Sequence, residues 1–226
     1  MSVILCGTMG YLIGMINPAY IFGRLRGFDI RRRGSGNAGA TNVTLVMGKA
    51  MGLLCALLDI IKSFVAYKLA KRLFPMLVYA GILAGCACVL GHIFPAWMGF
   101  QGGKGLACLA GMVLAYDRQV FLIMLVLEVI FALAVNYICV IPISASMVFP
   151  VVYGIQTHDA VGVLLLFVLA PVIVYKHLPN LRRIRAGQEA RLSWLWNAKA
   201  EEARLKEHIA EADWEKAYRK ADQKDA

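Results

Sequence analysis

The sequence predicts an all-α, polytopic integral membrane protein with about seven transmembrane or partly re-entrant helices. Three observations carry this. Of the 226 residues, 60% are apolar and the mean hydropathy is +0.64, far more than a single soluble core can hide. The apolar residues gather in runs at about 2–23, 43–67, 76–96, 106–116, 119–140, 143–157 and 160–176. Charges are confined mostly to the gaps: residues 1–175 hold only Asp29, Asp59, Asp117, Glu128 and Asp159 as acids, against twelve Lys and Arg. Bases gathered at membrane edges suit topology signals, anionic lipid or an anionic substrate. They are not interleaved with exposed aromatics, so nucleic acid is excluded as a partner.

Taken in order, Met1 to Gly23 has neither a basic leader nor a small-residue cleavage site and reads as a retained first span. The second run contains Asp59 and Lys62, three residues apart and so on one helix side, where they can neutralise one another. Several later runs are shorter than the roughly 20 residues of an upright span, and must be tilted, re-entrant or shielded by neighbours. Cys6, Cys55, Cys86, Cys88, Cys108 and Cys139 lie mostly inside apolar runs without C-x-x-C spacing; they read as small hydrophobes, and neither a metal site nor a cofactor is expected. Two regions result: a membrane-embedded domain over 1–190 and a charged amphipathic tail helix over 191–226, suited to docking on the membrane surface or on a partner.

Seven crossings place loops 24–42 and 97–105 and everything after 176 on one side. Those segments carry Arg24, Arg26, Arg31, Arg32, Arg33, Lys104, Lys176, Arg182, Arg183 and Arg185, so the positive-inside rule makes that side, with the tail, cytoplasmic and the N-terminus external. Lys68, Lys71 and Arg72 fall outside against the rule.

Three polar constellations meet at that side. The first, Asp29 to Asn42, packs Arg31, Arg32 and Arg33 beside Gly34, Ser35, Gly36, Asn37, Gly39, Thr41 and Asn42. Its glycines let backbone N–H groups converge on one anion, and a helix starting toward Val43 adds its positive end, so phosphate is the natural guest. Positive-inside arginines alone would account for the cations but not for Gly-Ser-Gly-Asn. The second constellation, Gly91 to Gly105, sets His92 at a membrane edge and Lys104 among Gly102, Gly103 and Gly105; it lacks the G-x-x-x-x-G-K-[ST] spacing of a P-loop. The third, His177 to Glu189, adds Asn180 and Arg183 as neutral and charged donors. His208 and Asp213 have the His-x-x-x-x-Asp spacing of soluble acyltransferases, but five residues on a charged helix point to different faces, so chance explains them better.

The motifs Asn17-Pro-Ala-Tyr-Ile-Phe-Gly-Arg24, Asp29-Ile-Arg31, Gly34 to Asn42, Gly91-His-Ile-Phe-Pro95, Gly102-Gly-Lys-Gly105 and Asn180 to Glu189 resemble the bacterial acyl-phosphate:glycerol-3-phosphate acyltransferase family, PlsY, over residues about 10–190. The resemblance implies a seven-helix bacterial plasma-membrane enzyme that moves a fatty acyl group from acyl phosphate to the 1-hydroxyl of glycerol 3-phosphate, giving lysophosphatidic acid. An enzyme that makes acyl phosphate would be a partner, besides membrane lipids. Ser35, His92, Lys104 and Asn180 become the candidate catalytic residues, with a substrate phosphate as base and His92 as the fallback base. Arg31, Gly34, Gly36, Asn37, Gly39, Thr41, Asn42, Gly102, Gly103, Gly105, His177 and Arg183 become candidate substrate and phosphate binders. The chain departs from the family pattern at Leu45, where an arginine is usual, and at Gln101, where a lysine is usual. It departs again at Asn136-Tyr-Ile-Cys139 in place of Arg-Tyr-Val-Ser, and at Pro142 in place of a serine. Two other readings stand beside this one: a weak or silent paralogue serving as a membrane scaffold, and a transporter of small phosphorylated solutes, which should place its polar groups near mid-membrane.

Overall fold

A computed structural model describes residues 1–209. The described residues form α-helices α1 (Ser2–Gly14), α2 (Pro18–Leu25), α3 (Ala40–Met47), α4 (Lys49–Leu73), α5 (Ala80–Ile93), α6 (Leu106–Tyr116), α7 (Arg118–Val135), α8 (Val140–Thr157), α9 (Ala160–Arg185) and α10 (Ala198–His208). Short 3-10 turns cover Ile30–Arg32, Ala96–Met98 and Leu192–Leu195. Six stretches are long and apolar enough to cross a membrane: Ser2–Leu25, Lys49–Leu73, Ala80–Met98, Arg118–Val135, Val140–Thr157 and Ala160–Arg185. Leu106–Tyr116 is a shorter apolar helix, so the seven expected segments appear with one of them too short to span upright.

Two runs that looked continuous are broken, each for a local reason. Asn17 takes extended backbone and its side chain accepts from the Tyr20 N–H at 2.9 Å, while Pro18 supplies the pre-bent first residue of α2. Gly48, at φ 92°, separates α3 from α4. At the other end of the chain α9 runs past the expected boundary to Arg185 and carries Asn180 inside the helix.

Small residues let backbones touch. A Cβ at Gly10 or Gly14 would strike the carbonyl of Ala84 or Cys88, and one at Gly91 that of Tyr11, so α1 and α5 cross in backbone contact. Gly111 does the same for α6 against the Ile60 carbonyl of α4. The largest core cluster gathers Val89 and Ile93 of α5, Met112 of α6, Phe149 of α8 and Ile173 of α9, and all five are buried. By contrast α7 presents Ile123, Val126, Leu127 and Ile130 outward, as a lipid-facing helix does. Its one carboxyl, Glu128, turns inward and accepts from Ser144 Oγ at 2.5 Å.

Of the region 191–226 expected as a tail helix, residues 210–226 lie outside the described residues. Leu192–Leu195 and α10 fold back onto the segment after α9, with Leu205 fully buried. Asp213, the aspartate of the His-x-x-x-x-Asp spacing, lies outside the described residues.

Candidate active site

The first constellation is a pre-formed turn. Asp29 Oδ1 accepts the Arg31 N–H at 3.0 Å and starts the Ile30–Arg32 turn. Arg31 then grips that carboxylate through Nε (3.0 Å) and Nη2 (2.8 Å), while Nη1 donates to the Met98 carbonyl at 2.6 Å. Its guanidinium also lies 4.9 Å from the Tyr20 ring centroid. The Arg31 guanidinium holds the Asp29 carboxyl below its ordinary range despite burial, and Asp29 raises Arg31 in return. Arg31 thereby fastens the first loop to the second.

Asn42 does similar work inside the turn. Its Oδ1 accepts from the Ser35 N–H at 2.8 Å, and its Nδ2 donates to the carbonyls of Ile30 and Arg33 at 3.0 Å each. Gly34 has φ 57°, and a Cβ there would run into Asn42 Oδ1, so the turn requires glycine on both counts. Gly36 at φ 74° completes the bend and Gly39 caps α3 without a side-chain bond. Ser35, Gly36 and Thr41 are left exposed at the rim, Asn37 half-buried, and the N–H groups of the first turn of α3 lie beside them. Below the turn, Asn17 Nδ2 donates to the Ala38 carbonyl at 3.0 Å, tying it to the α1–α2 break.

The second constellation is pressed flat on the end of α5. The Gly102 and Gly103 N–H groups donate to the carbonyls of Ile93 and His92, both at 3.1 Å. Side chains at either position would collide, Gly102 with the His92 carbonyl and Gly103 with His92 Nε2, and Gly103 also sits against the Ala38 carbonyl of the first loop. Gly105, at φ 91°, caps α6. This chain path aims Lys104 at the third constellation, where Nζ donates to Asn180 Oδ1 at 2.5 Å.

On α9, Asn180 is buried and donates in turn through Nδ2 to Glu189 Oε1 at 2.5 Å, while Arg183 Nε meets Glu189 Oε2 at 2.6 Å. Glu189 is thus the hub of the third constellation. Burial pulls the Lys104 ammonium below its ordinary pKa and Arg183 pulls further, with Glu189 opposing. His177 is buried, and its Nδ1 lies 2.8 Å from the Ile173 carbonyl; since a carbonyl only accepts, Nδ1 carries a proton.

His92 lies under these loops in an ionic node. Asp59 Oδ1 stands 2.6 Å from Lys62 Nζ and 3.2 Å from His92 Nδ1; Lys62 Nζ is 3.0 Å from that same nitrogen and donates to the Ile16 carbonyl at 2.6 Å. All three residues are buried. With Nδ1 spent in the node and Nε2 against Gly103, His92 is placed to support the glycine turn from beneath. Asp59, His92 and Cys108 also bring three donor atoms within 4.8 Å of one another. The Lys62 ammonium already fills the cation's place between carboxylate and imidazole, so the set does not suit a metal ion.

Most of the chain matches one family: the model described as glycerol-3-phosphate acyltransferase covers residues 4–187. The chain belongs to the glycerol-3-phosphate acyltransferase family. A glycerol-3-phosphate acyltransferase of Thermoanaerobacter sp. (strain X514) is 35% identical over 193 residues, covering 85% of this chain and 96% of that protein. One from Aquifex aeolicus is 32% identical over 191 residues, covering 84% and 100%. The crystal structure of PlsY, an integral membrane glycerol 3-phosphate acyltransferase, in its glycerol 3-phosphate form superposes with a TM-score of 0.79 at 31% identity, covering 88% of this chain and 100% of that one. The family match stops at residue 187, so α10 and the segment leading to it lie beyond it.

Proposed function

We propose that this chain transfers a fatty acyl group from acyl phosphate to the 1-hydroxyl of glycerol 3-phosphate, releasing lysophosphatidic acid and inorganic phosphate at the cytoplasmic face of a bacterial plasma membrane. The observation that carries the reading is the convergence of the three glycine- and cation-rich loops, with Lys104 bonded to Asn180 and the first loop pinned to the second through Arg31 and Met98. A transporter would hold its polar groups between two accessible faces; here they close one end of the helix bundle. An open apolar groove of ≈ 390 Å³ between α8 and α9 is lined by Met147, Phe167, Pro171, Val174, Tyr175 and Leu178. Its apolar lining suits an acyl chain.

Acyl phosphate is already activated, so the site has to align the reactants and stabilise charge. The glycerol hydroxyl oxygen attacks the acyl carbonyl carbon, and the carbonyl π pair becomes an oxyanion. On collapse the bond from that carbon to the phosphate oxygen breaks, and phosphate leaves with the electron pair. The hydroxyl proton passes to a phosphate oxygen of the substrate. Lys104, the Ser35 hydroxyl and the N–H groups of the first turn of α3 hold the growing negative charge, and Asn180 keeps Lys104 in place. In this scheme His92, Asn42 and Arg31 shape the loops and do not touch the reacting atoms.

The test is phosphate release from palmitoyl phosphate by the purified protein with and without glycerol 3-phosphate. Release that depends on the acceptor, with lysophosphatidic acid formed in equal amount, is expected. Absence of acceptor-dependent release would sink the reading, and a burst of acylated enzyme would contradict direct transfer.

A further inference from the structure

Beyond the matched family region the chain builds a brace onto the third loop. Gly187, at φ 72°, turns the backbone after α9 and leaves the carbonyls of Gly187 and Glu189 to be satisfied from outside. Arg204 of α10 reaches both: Nη1 donates to the Gly187 carbonyl at 2.5 Å and Nη2 to the Glu189 carbonyl at 2.8 Å. Glu201 orients that guanidinium, its Oε1 lying 2.6 Å from Nη2, and also accepts the Arg191 N–H at 2.8 Å. Leu205 is 0% exposed and Glu201 4%, so this face of α10 is packed and not solvated.

The connecting segment is anchored as well. The Asn136 carbonyl accepts from the Leu192 N–H and its Oδ1 from the Ser193 N–H, both at 2.9 Å. Asn136 ends α7 in the left-handed conformation at φ 64°, which asparagine tolerates better than most residues. One departure from the family pattern, asparagine for arginine, thus becomes the seat of a segment that the matched family region does not contain.

The residue whose backbone Arg204 holds is the one whose carboxylate orients Asn180 and Arg183. We infer that α10 is a positioning element of the acyl-transfer site, in which Arg204 fixes Glu189 so that Asn180 keeps Lys104 aimed at the substrate phosphate. This role rests on the acyl-transfer reading. Lys104 is faced by Lys176, His177, Asn180 and Arg183 from α9, by Glu189 from the turn after it and by Cys139 from the linker before α8. Glu189 is the carboxylate among them, so loosening it leaves the ammonium beside Arg183 and Lys176 without its counter-charge.

The test uses the full-length protein in lipid nanodiscs: wild type, Arg204→Ala and Arg204→Lys, with kcat, both KM values and the pH profile measured per folded molecule. Arg204→Ala is expected to lower kcat by about 10-fold or more. It should also move the alkaline limb of the profile to lower pH, because Lys104 then loses its proton earlier. Arg204→Lys should recover only part, since an ammonium cannot bridge the two carbonyls as the planar fork does. If Arg204→Ala does not fold, Leu205→Ala, which unseats the same helix, is read the same way. A folded variant with wild-type kcat and an unmoved alkaline limb would overturn the role. No turnover by the wild type would overturn the acyl-transfer reading, and this role with it.

Discussion

Lys104 is the residue on which the site's electrostatics turn, because its ammonium sits part-buried where three loops meet and donates to a neutral amide. Lys104→Ala should reduce acyl transfer at least ~100-fold while the protein stays folded in membranes, as expected for removal of one preorganised charge-stabilising donor. Near-normal turnover of that variant would remove Lys104 from the site. The wild-type pH profile carries the same information: burial and Arg183 lower the Lys104 pKa, so the ammonium, and with it anion binding, should fade at a lower pH than an ordinary lysine's roughly 10.4 would give. At the rim, Leu45 and Gln101 are both exposed, so restoring cations there costs little packing. The double variant Leu45→Arg with Gln101→Lys should lower the KM for glycerol 3-phosphate by ~10-fold, one charge-assisted hydrogen bond being worth roughly 1.5–3 kcal/mol, and the gain should shrink as salt rises. An unchanged KM would place the acceptor phosphate elsewhere. At this scale the sequence shows residue types well and partners poorly. Gly34, Gly103 and Lys104 stand out by composition, whereas the bonds of Arg31 to Asp29 and Met98 and of Asn42 to Ser35 and Arg33 are found only in three dimensions.

Among the elements, the glycine turn over α5 couples the ionic node to Lys104. Its fit is tight enough that one methyl group should disturb it: Gly103→Ala would push against His92 Nε2 and the Ala38 carbonyl, lifting the turn and tilting Lys104. Expected is a fall in kcat/KM of about 100-fold with the helix bundle intact, measured by steady-state kinetics and by the thermal midpoint of the purified variant. Wild-type kinetics would show that the turn does not aim Lys104. Much of the helix order is legible from hydropathy, because lipid-facing and core positions are both apolar and each span is one long run. For the same reason the breaks inside those runs are hidden. The interruption at Asn17 is encoded by an Asn-Pro pair and that at Gly48 by a single glycine, neither of which lowers hydropathy enough to end a run. The pairing of Asp59 with Lys62 could be read from their spacing, but its third member, His92, lies on another helix and is found only in three dimensions.

For the molecule as a whole, an even number of segments between one constellation and the next brings all three to one end, and the contacts of Arg31 with Met98 and of Lys104 with Asn180 close that end into one site. Parity is readable from the sequence because it depends only on counting apolar runs. The docking of α10 is not, since an amphipathic charged helix is equally compatible with membrane, partner or its own domain, and only the bonds from Arg204 to Gly187 and Glu189 decide. The most direct test of a single shared site at the cytoplasmic face is labelling of Ser35→Cys, Gln101→Cys and Arg182→Cys, one per constellation and all at exposed positions, in a background without the six buried native cysteines. An impermeant thiol reagent should modify all three in inside-out vesicles and none in right-side-out vesicles. Labelling of any one of them from the opposite face would contradict the common site.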